Sequence, residues 1–287
     1  LAQSFLDILH WRDADIGQNA CEAQNVGQKH TQAMTPVFTG FYLLTGATGA
    51  IGKEIARDLA SKGEKLILAV RNMDKANELR EELLRDYPQC RTIETLKLDL
   101  ADEQSVRDAV ETLDCRHIGG LKGIINNAGV MSRRYGVDSQ GRELTMAVNF
   151  CNTRLLVELL KDRVETGGVI VFTTSLTRFL HRRKDYPVIF EAKRFSQLGT
   201  YGQSKRMITE YARQLAEELK GRVRVNCADP GIVDTGMISM QRWYDPIADA
   251  LFRPFIRNPR QGAEPALRAT YAEASGKIYC RRRIHEI

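Results

Sequence analysis

From Gly40 onward, short apolar runs alternate with segments whose apolar residues recur at helical spacing. "FYLLT" is a continuous apolar run, and "IGKEIARDLASKG" follows it with helical period and a closing glycine. "KLILAV" then precedes "MDKANELREELLRDYP", which Pro88 ends, and "TIETLKLDL" precedes "DEQSVRDAVETL". "LKGIINNAG", the helix-like "ELTMAVNFCNTRLLVELLKDRV" and the apolar "GGVIVFTTS" repeat the unit. After an irregular basic stretch, 176–199, come the helix "TYGQSKRMITEYARQLAEELK", the run "VRVNCADPG", a helix near "GAEPALRATYAEA" and a short strand "GKIYC". Regular strand–helix alternation predicts an α/β fold: a doubly wound, mostly parallel sheet of about seven strands with helices on both faces. No linker sets off a second apolar segment, so residues 36–287 read as one domain. Residues 1–35 are polar and aperiodic after "SFLDILHW" and read as an N-terminal extension.

Composition narrows the function classes. The 43% hydrophobic and 27% charged residues fit a soluble globular chain. No apolar run approaches the roughly 20 residues that span a bilayer, and no secretory signal is visible. The net charge of +6 collects in arginine clusters such as Arg133-Arg134, Arg182-Arg183 and Arg281-Arg282-Arg283. They lack the interleaved aromatics of a nucleic-acid module, so no nucleic-acid partner is expected. The six cysteines are widely scattered without a C-x-x-C pair, which points to reduced thiols, a cytoplasmic location and no metal site.

The first strand runs into "TGATGAIGKE". A glycine-rich turn between strand and helix lets backbone amides and the helix N-terminus meet a pyrophosphate. Gly46 would make the tight turn, Thr48, Gly49, Ala50 and Ile51 would border the phosphates, and Gly52 would let helix and strand pack closely. The second strand ends "LAVRNMDK", with Arg71 where a carboxylate would select NAD. A guanidinium pairs with a 2′-phosphate, so NADP(H) is the expected cofactor.

With these features in place, the chain from Phe41 to Tyr279 resembles the compact, single-domain branch of the short-chain dehydrogenase/reductase superfamily, a Rossmann-type fold. "TGATGAIG" fits its cofactor motif, with Ala50 where glycine is commoner; the string also fits the extended branch, but "NNAG", Asn126 to Gly129, belongs to the compact one. The resemblance implies that Asn127, Ala128 and Gly129 line the cofactor cleft and that Asp99 and Leu100 flank the adenine. It further implies that Pro230, Gly231, Val233 and Thr235 in "PGIVDT" hold the nicotinamide end. Asn149 in "MAVNF", Ser175 after the fifth strand, and Tyr201 and Lys205 in "TYGQSK" match the catalytic positions, with Thr174-Ser175 replacing the more usual Ser-Ser. "GATGAIGKE", "VRNMDK" and "NNAGVM" resemble in part the retinol-dehydrogenase-like group.

The implied chemistry is hydride transfer between nicotinamide and a carbonyl or alcohol. Residues i and i+4 share a helix face, so Lys205 can tune Tyr201 and hold the nicotinamide ribose, as Tyr201 does. Tyr201 then serves as general acid in reduction and base in oxidation. Ser175 orients the substrate oxygen, and Asn149 bends its helix and holds a water beside Lys205. The stretch 176–199 and the aromatic, apolar segment 236–256 are expected to form a lid for a bulky, largely apolar small molecule, with Arg178, Arg182 or Arg183 facing any anionic group. Alternatives are a reductase of a conjugated ring or double bond, of the protochlorophyllide-reductase type, and a non-catalytic NADP sensor. Relatives of this kind often pair through the helices carrying Asn149 and Tyr201, so a homodimer or homotetramer is expected.

Overall fold

Every residue of β1 (Phe41–Thr45) is buried, because apolar layers cover both of its faces. Phe41 and Leu43 enter one layer and Tyr42 and Leu44 the other, which is why this strand reads as an unbroken apolar run. The computed structural model describes residues 40–116, 118–179, 187–231, 233 and 257–287. The expectations for residues 1–35, Thr235, Arg182, Arg183 and the segment 236–256 lie outside them.

The strands are β1, β2 (Lys65–Val70), β3 (Ile93–Lys97), β4 (Leu121–Asn126), β5 (Val164–Thr173), β6 (Arg224–Ala228), β7 (Lys277–Tyr279) and β8 (Ile284–Glu286). They form one sheet in the order β3-β2-β1-β4-β5-β6-β7-β8. All neighbours pair in parallel except β7 and β8. Helices α1 (Ala50–Ser61), α2 (Met73–Asp86) and α6 (Pro259–Tyr271) pack on the Tyr42 face. Helices α3 (Glu103–Cys115), α4 (Asn152–Leu160) and α5 (Gln197–Glu218) pack on the Phe41 face. The strand order reverses between β1 and β4, and ligands of open α/β sheets bind at the carboxyl ends of strands at such a point.

Two features depart from the sequence reading. The sheet has eight strands rather than about seven; the last, "IHE", is exposed throughout and carries no apolar alternation that would mark it. The long helix expected through "ELTMAVNFCNTRLLVELLKDRV" is interrupted. A short turn, Leu144–Met146, passes through a π-helical turn, Ala147–Cys151, before α4 begins, and the strand already starts at Val164. Val164 pairs with Leu121 and Val169 with Gly123, so an irregularity around Gly167 absorbs the extra residues.

The close approach of α1 to β1 sets the cleft. Gly46 has φ +65°, and a Cβ there would stand 2.9 Å from Ala128 Cα. A Cβ on Gly52 would fall 2.2 Å from Gly46 O, inside van der Waals contact with backbone that cannot yield without moving the helix. Gly52→Ala is therefore expected to lower stability by about 1–3 kcal/mol and weaken dinucleotide binding, measured by urea unfolding and cofactor titration.

Candidate active site

A cleft of about 390 Å³ opens over the carboxyl ends of β1, β2 and β4, within the size range of small-molecule sites. Gly46, Thr48, Gly49, Ala50, Ile51 and Gly52 form one wall, Arg71 one end, and Asp99, Leu100, Asn127, Ala128 and Gly129 the other side. Twelve of the positions assigned to the cofactor from sequence thus line one cavity. Helices α2, α3, α5 and α6 each begin on a side-chain cap, from Asn72, Asp102, Ser196 and Asn258. Helix α1 begins at Gly49 with no side-chain cap and no acidic residue in its first turn. Its N-terminal amides and dipole end therefore face the cleft without a competing anion, as a bound pyrophosphate requires. The glycine cradle and uncapped helix fit a dinucleotide.

Sequence reading missed two contributors at the Arg71 end, Asn72 and Lys75. Asn72 Oδ1 accepts from Lys75 N at 3.0 Å, which places the lysine in the first turn of α2 beside the arginine. The capping pattern of "NMDK" carried that signal. Both side chains are exposed cations or amides at the cleft rim, and Asp99 supplies the single carboxylate among the lining residues. Asp99 Oδ1 is engaged by Ala101 N at 2.9 Å.

The segment Asn126–Gly129 ties the sheet together beneath the cleft. Asn126 Nδ2 donates to Val171 O at 3.3 Å, and Asn127 Nδ2 donates to Thr45 O at 3.1 Å and Gly46 O at 3.3 Å. Ala128 N donates to Thr45 Oγ1 at 3.0 Å. Asn149 sits within the π-helical turn, which accounts for the expected bend. Its amide is held at both ends: Val130 N donates to Oδ1 at 2.8 Å, while Nδ2 donates to Val130 O at 2.8 Å and to Ser204 Oγ at 3.0 Å. A Cβ on Gly129 would lie 3.3 Å from both Asn149 Oδ1 and Lys205 Nζ, so these two groups abut the inner end of the cleft.

Tyr201 and Lys205 lie on α5, which Ser196 caps through Gly199 N. Lys205 Nζ donates to Thr173 O at 2.8 Å and stands 5.7 Å from the Tyr201 ring centre. Ser175 stands close enough to the Tyr201 phenol to favour its ionised form, bringing together three of the expected catalytic groups. Thr174, which replaces the commoner serine, turns away from them: its hydroxyl shares a 2.6 Å bond with Thr209.

The electrostatics differ from the simple expectation that Lys205 lowers the Tyr201 pKa. Burial raises Tyr201 to about 12, the charge of Asp229 adds to the rise, and the nearby Ser175 hydroxyl only partly offsets them. Burial likewise lowers Lys205 to about 8, against the attraction of Asp229 and Cys227.

The loop after β6 carries the other described residues that the sequence reading assigned to the cofactor. Gly231 has φ +73° and donates its N–H to Asp229 Oδ1 at 2.9 Å, and Pro230 O accepts from Arg257 Nη1 at 2.9 Å. Val233 is buried and bridges to Arg257. Pro230, Gly231 and Val233 are not among the cleft-lining residues, and neither are Tyr201 and Lys205, which adjoin the cleft at Gly129. Arg178, expected at the lid to face substrate, is instead buried and paired with Asp229, 3.1 Å away. The partners are 51 residues apart, so no local pattern announces them.

No described helix is long and apolar enough to cross a membrane, and no described group of three or more His, Cys, Asp or Glu side chains could hold a metal ion. Residues 41–244 match the short chain dehydrogenase family. The chain is 31% identical over 249 residues to human retinol dehydrogenase 12, covering 84% of this chain and 78% of that protein. It is 29% identical to the chloroplastic short-chain dehydrogenase TIC 32 A of Brassica napus, covering 83% and 78%. A short chain dehydrogenase from Shigella flexneri, solved with NADP, superposes with a TM-score of 0.64 at 20% identity, covering 86% of this chain and 99% of that one. An Escherichia coli counterpart solved with NADPH superposes equally well, at 0.64 and 21% identity over 86% and 99%. Sheet order, glycine cradle and sequence match agree: the chain belongs to the short chain dehydrogenase family, oxidoreductases that work with a nicotinamide cofactor.

Proposed function

We propose that this protein is an NADPH-dependent reductase of aldehydes or ketones on bulky, largely apolar molecules. The observation that carries this reading is the convergence of Tyr201, Ser175 and Lys205 next to the Gly129 end of the cleft. NADPH, when bound, supplies the hydride. Gly46 to Gly52 and the first turn of α1 would hold its pyrophosphate, Arg71 and Lys75 its 2′-phosphate, Asp99 and Leu100 its adenine, and Pro230, Gly231, Val233 and Thr235 its nicotinamide end.

Ser175 donates a hydrogen bond to the substrate carbonyl, orienting it and stabilising negative charge as it builds on oxygen. Tyr201 gives that oxygen a proton. A phenol pushed up to about 12 keeps its proton throughout the neutral range, so the donor form needed for reduction is populated. Lys205 holds the nicotinamide ribose and, as a cation, stabilises the phenolate left behind. Asn149 fixes the Val130 backbone, and with it the wall that Lys205 abuts.

Apolar side chains near Ser175 and Tyr201 support an apolar substrate. Leu176, Phe179 and Leu198, beside Ser175 and at the start of α5, are exposed, and Tyr135 packs against Phe190 and Phe195. The similarity to a retinol dehydrogenase supports the same class. The five described cysteines are free, which suits a reducing, cytoplasmic setting.

Loss of NADPH absorbance with a panel including retinal, nonanal and simple ketones tests the reading. Tyr201→Phe keeps the ring but removes the proton, so kcat is expected to fall about 100- to 10,000-fold with NADPH affinity little changed; near-wild-type turnover would overturn the mechanism. Arg71→Ala is expected to raise KM for NADPH about tenfold or more and leave KM for NADH unaltered.

Lys205 gives a stability test with a definite sign. Between about 8 and 10.5 the unfolded chain holds a proton that the folded protein lacks, so stability rises with pH through that window and the lysine is a net cost below it. Lys205→Met is expected to raise the unfolding free energy near neutral pH by up to about 3 kcal/mol, with the gain shrinking above about pH 8, while turnover is lost. Urea titrations across that range, run beside the activity assay, measure both.

A further inference from the structure

Two turns bring chemistry to the site from the ends of neighbouring strands: Ser175 to Phe179 after β5, and Asp229 to Gly231 after β6. The Arg178–Asp229 ion pair joins them, with side chains only 6% and 3% exposed. No other ion pair among the described residues has both partners so deeply buried. Arg178 Nη1 donates to Asp229 Oδ2 at 3.1 Å and to Ser175 O at 2.9 Å. The other carboxylate oxygen accepts from Gly231 N at 2.9 Å, and Asp229 N donates to Tyr279 O at 2.8 Å. The guanidinium also lies 4.3 Å from the Phe179 ring centre, which fixes its plane.

As a stabiliser such a pair is weak, because desolvating two charges offsets their attraction. What it fixes is geometry: a single guanidinium nitrogen, Nη1, bonds a carbonyl and a carboxylate at once, its two N–H directions set by the planar group, whereas a freely rotating ammonium would hold them with less directional constraint. Asp229 also acts electrostatically on Tyr201 and Lys205, and Arg178 is its buried counter-charge. We propose that Arg178 and Asp229 are positioning residues that clamp the Ser175 turn to the Pro230–Gly231 turn. The clamp sets the spacing between the hydroxyl that orients the substrate oxygen and the backbone bordering the nicotinamide. It acts through Ser175 and Gly231 and rests on the reductase reading above.

The informative variant is the neutral double substitution Arg178→Met with Asp229→Asn. It leaves no buried unpaired charge and keeps a side-chain oxygen for Gly231 N; the Asp229 charge felt by Tyr201 and Lys205 goes with the clamp, so amide exchange, which reports the two turns directly, is read beside kcat. Three readouts apply to it: amide hydrogen exchange, affinity for adenosine 2′,5′-bisphosphate, and steady-state kinetics with NADPH and the panel aldehyde the wild type reduces fastest. The expected result is a folded protein that binds the bisphosphate within about twofold of wild type, since that fragment occupies the far end of the cleft. Its kcat falls about 10- to 100-fold. Exchange accelerates about tenfold or more at residues 175–178 and 229–231 and stays unchanged in the central strands. Wild-type kcat together with wild-type exchange in the folded double variant overturns the clamp. If the wild type reduces no carbonyl, the reductase reading fails, and the exchange comparison alone decides the clamp. If the double variant does not fold, Arg178→Lys decides it: the charge stays but the planar group that directs Nη1 goes, and wild-type kcat and exchange there overturn the inference.

Discussion

The side-chain amide of Asn127 joins the two halves of the sheet. Its bonds to the carbonyls of Thr45 and Gly46, with the Ala128 N–H on Thr45 Oγ1, fasten the end of β4 to the end of β1 where the strand order reverses. The cleft exists because consecutive strands diverge there, and its shape depends on those ends staying in register. Gly46 and Gly52 hold α1 against the same point, and Gly129, next but one to Asn127, lets Asn149 and Lys205 come within reach of the cleft. Each later feature is built on a backbone that these bonds fix.

Burial governs the chemistry more than pairwise charge does. From sequence, Lys205, together with the nicotinamide ring of an oxidised complex, is expected to lower the Tyr201 pKa. Tyr201 and Lys205 are instead both shifted first by desolvation, in opposite senses, because each charged form is disfavoured away from water. The result is a phenol that retains its proton and an ammonium that gives it up more readily than usual. For Lys205 such tuning lowers the stability of the fold near neutral pH, where the Tyr201 phenol is protonated folded or unfolded, and active sites commonly hold groups in that state. The neighbouring Arg178–Asp229 pair shows the other solution for buried charge, mutual neutralisation with Arg178 Nη1 and Asp229 Oδ1 also hydrogen-bonded to backbone.

Most of the strand and helix succession was legible because both faces of the central strands are covered, giving continuous apolar runs such as "FYLLT" and "KLILAV". The misses have local causes. The strand Ile284–Glu286 is exposed on every residue and forms only by pairing with β7. The π-helical turn around Asn149 keeps helical spacing in sequence, so periodicity passes straight over it. Lys75 was readable from the Asn72 cap but was passed over, whereas the destination of Arg178 was not readable: in sequence it looks like any arginine of a basic loop.

The sequence by itself determined the alternating architecture, the glycine turn and the short motifs, because each of these is encoded within a few neighbouring residues and their order along the chain. Tertiary structure decided what those residues experience. Which carbonyl holds Lys205, which hydroxyl meets Tyr201, which carboxylate buries Arg178 and how far each group is removed from water depend on segments distant in the chain. Desolvation and long-range hydrogen bonding are properties of a packed site, and no local pattern specifies them.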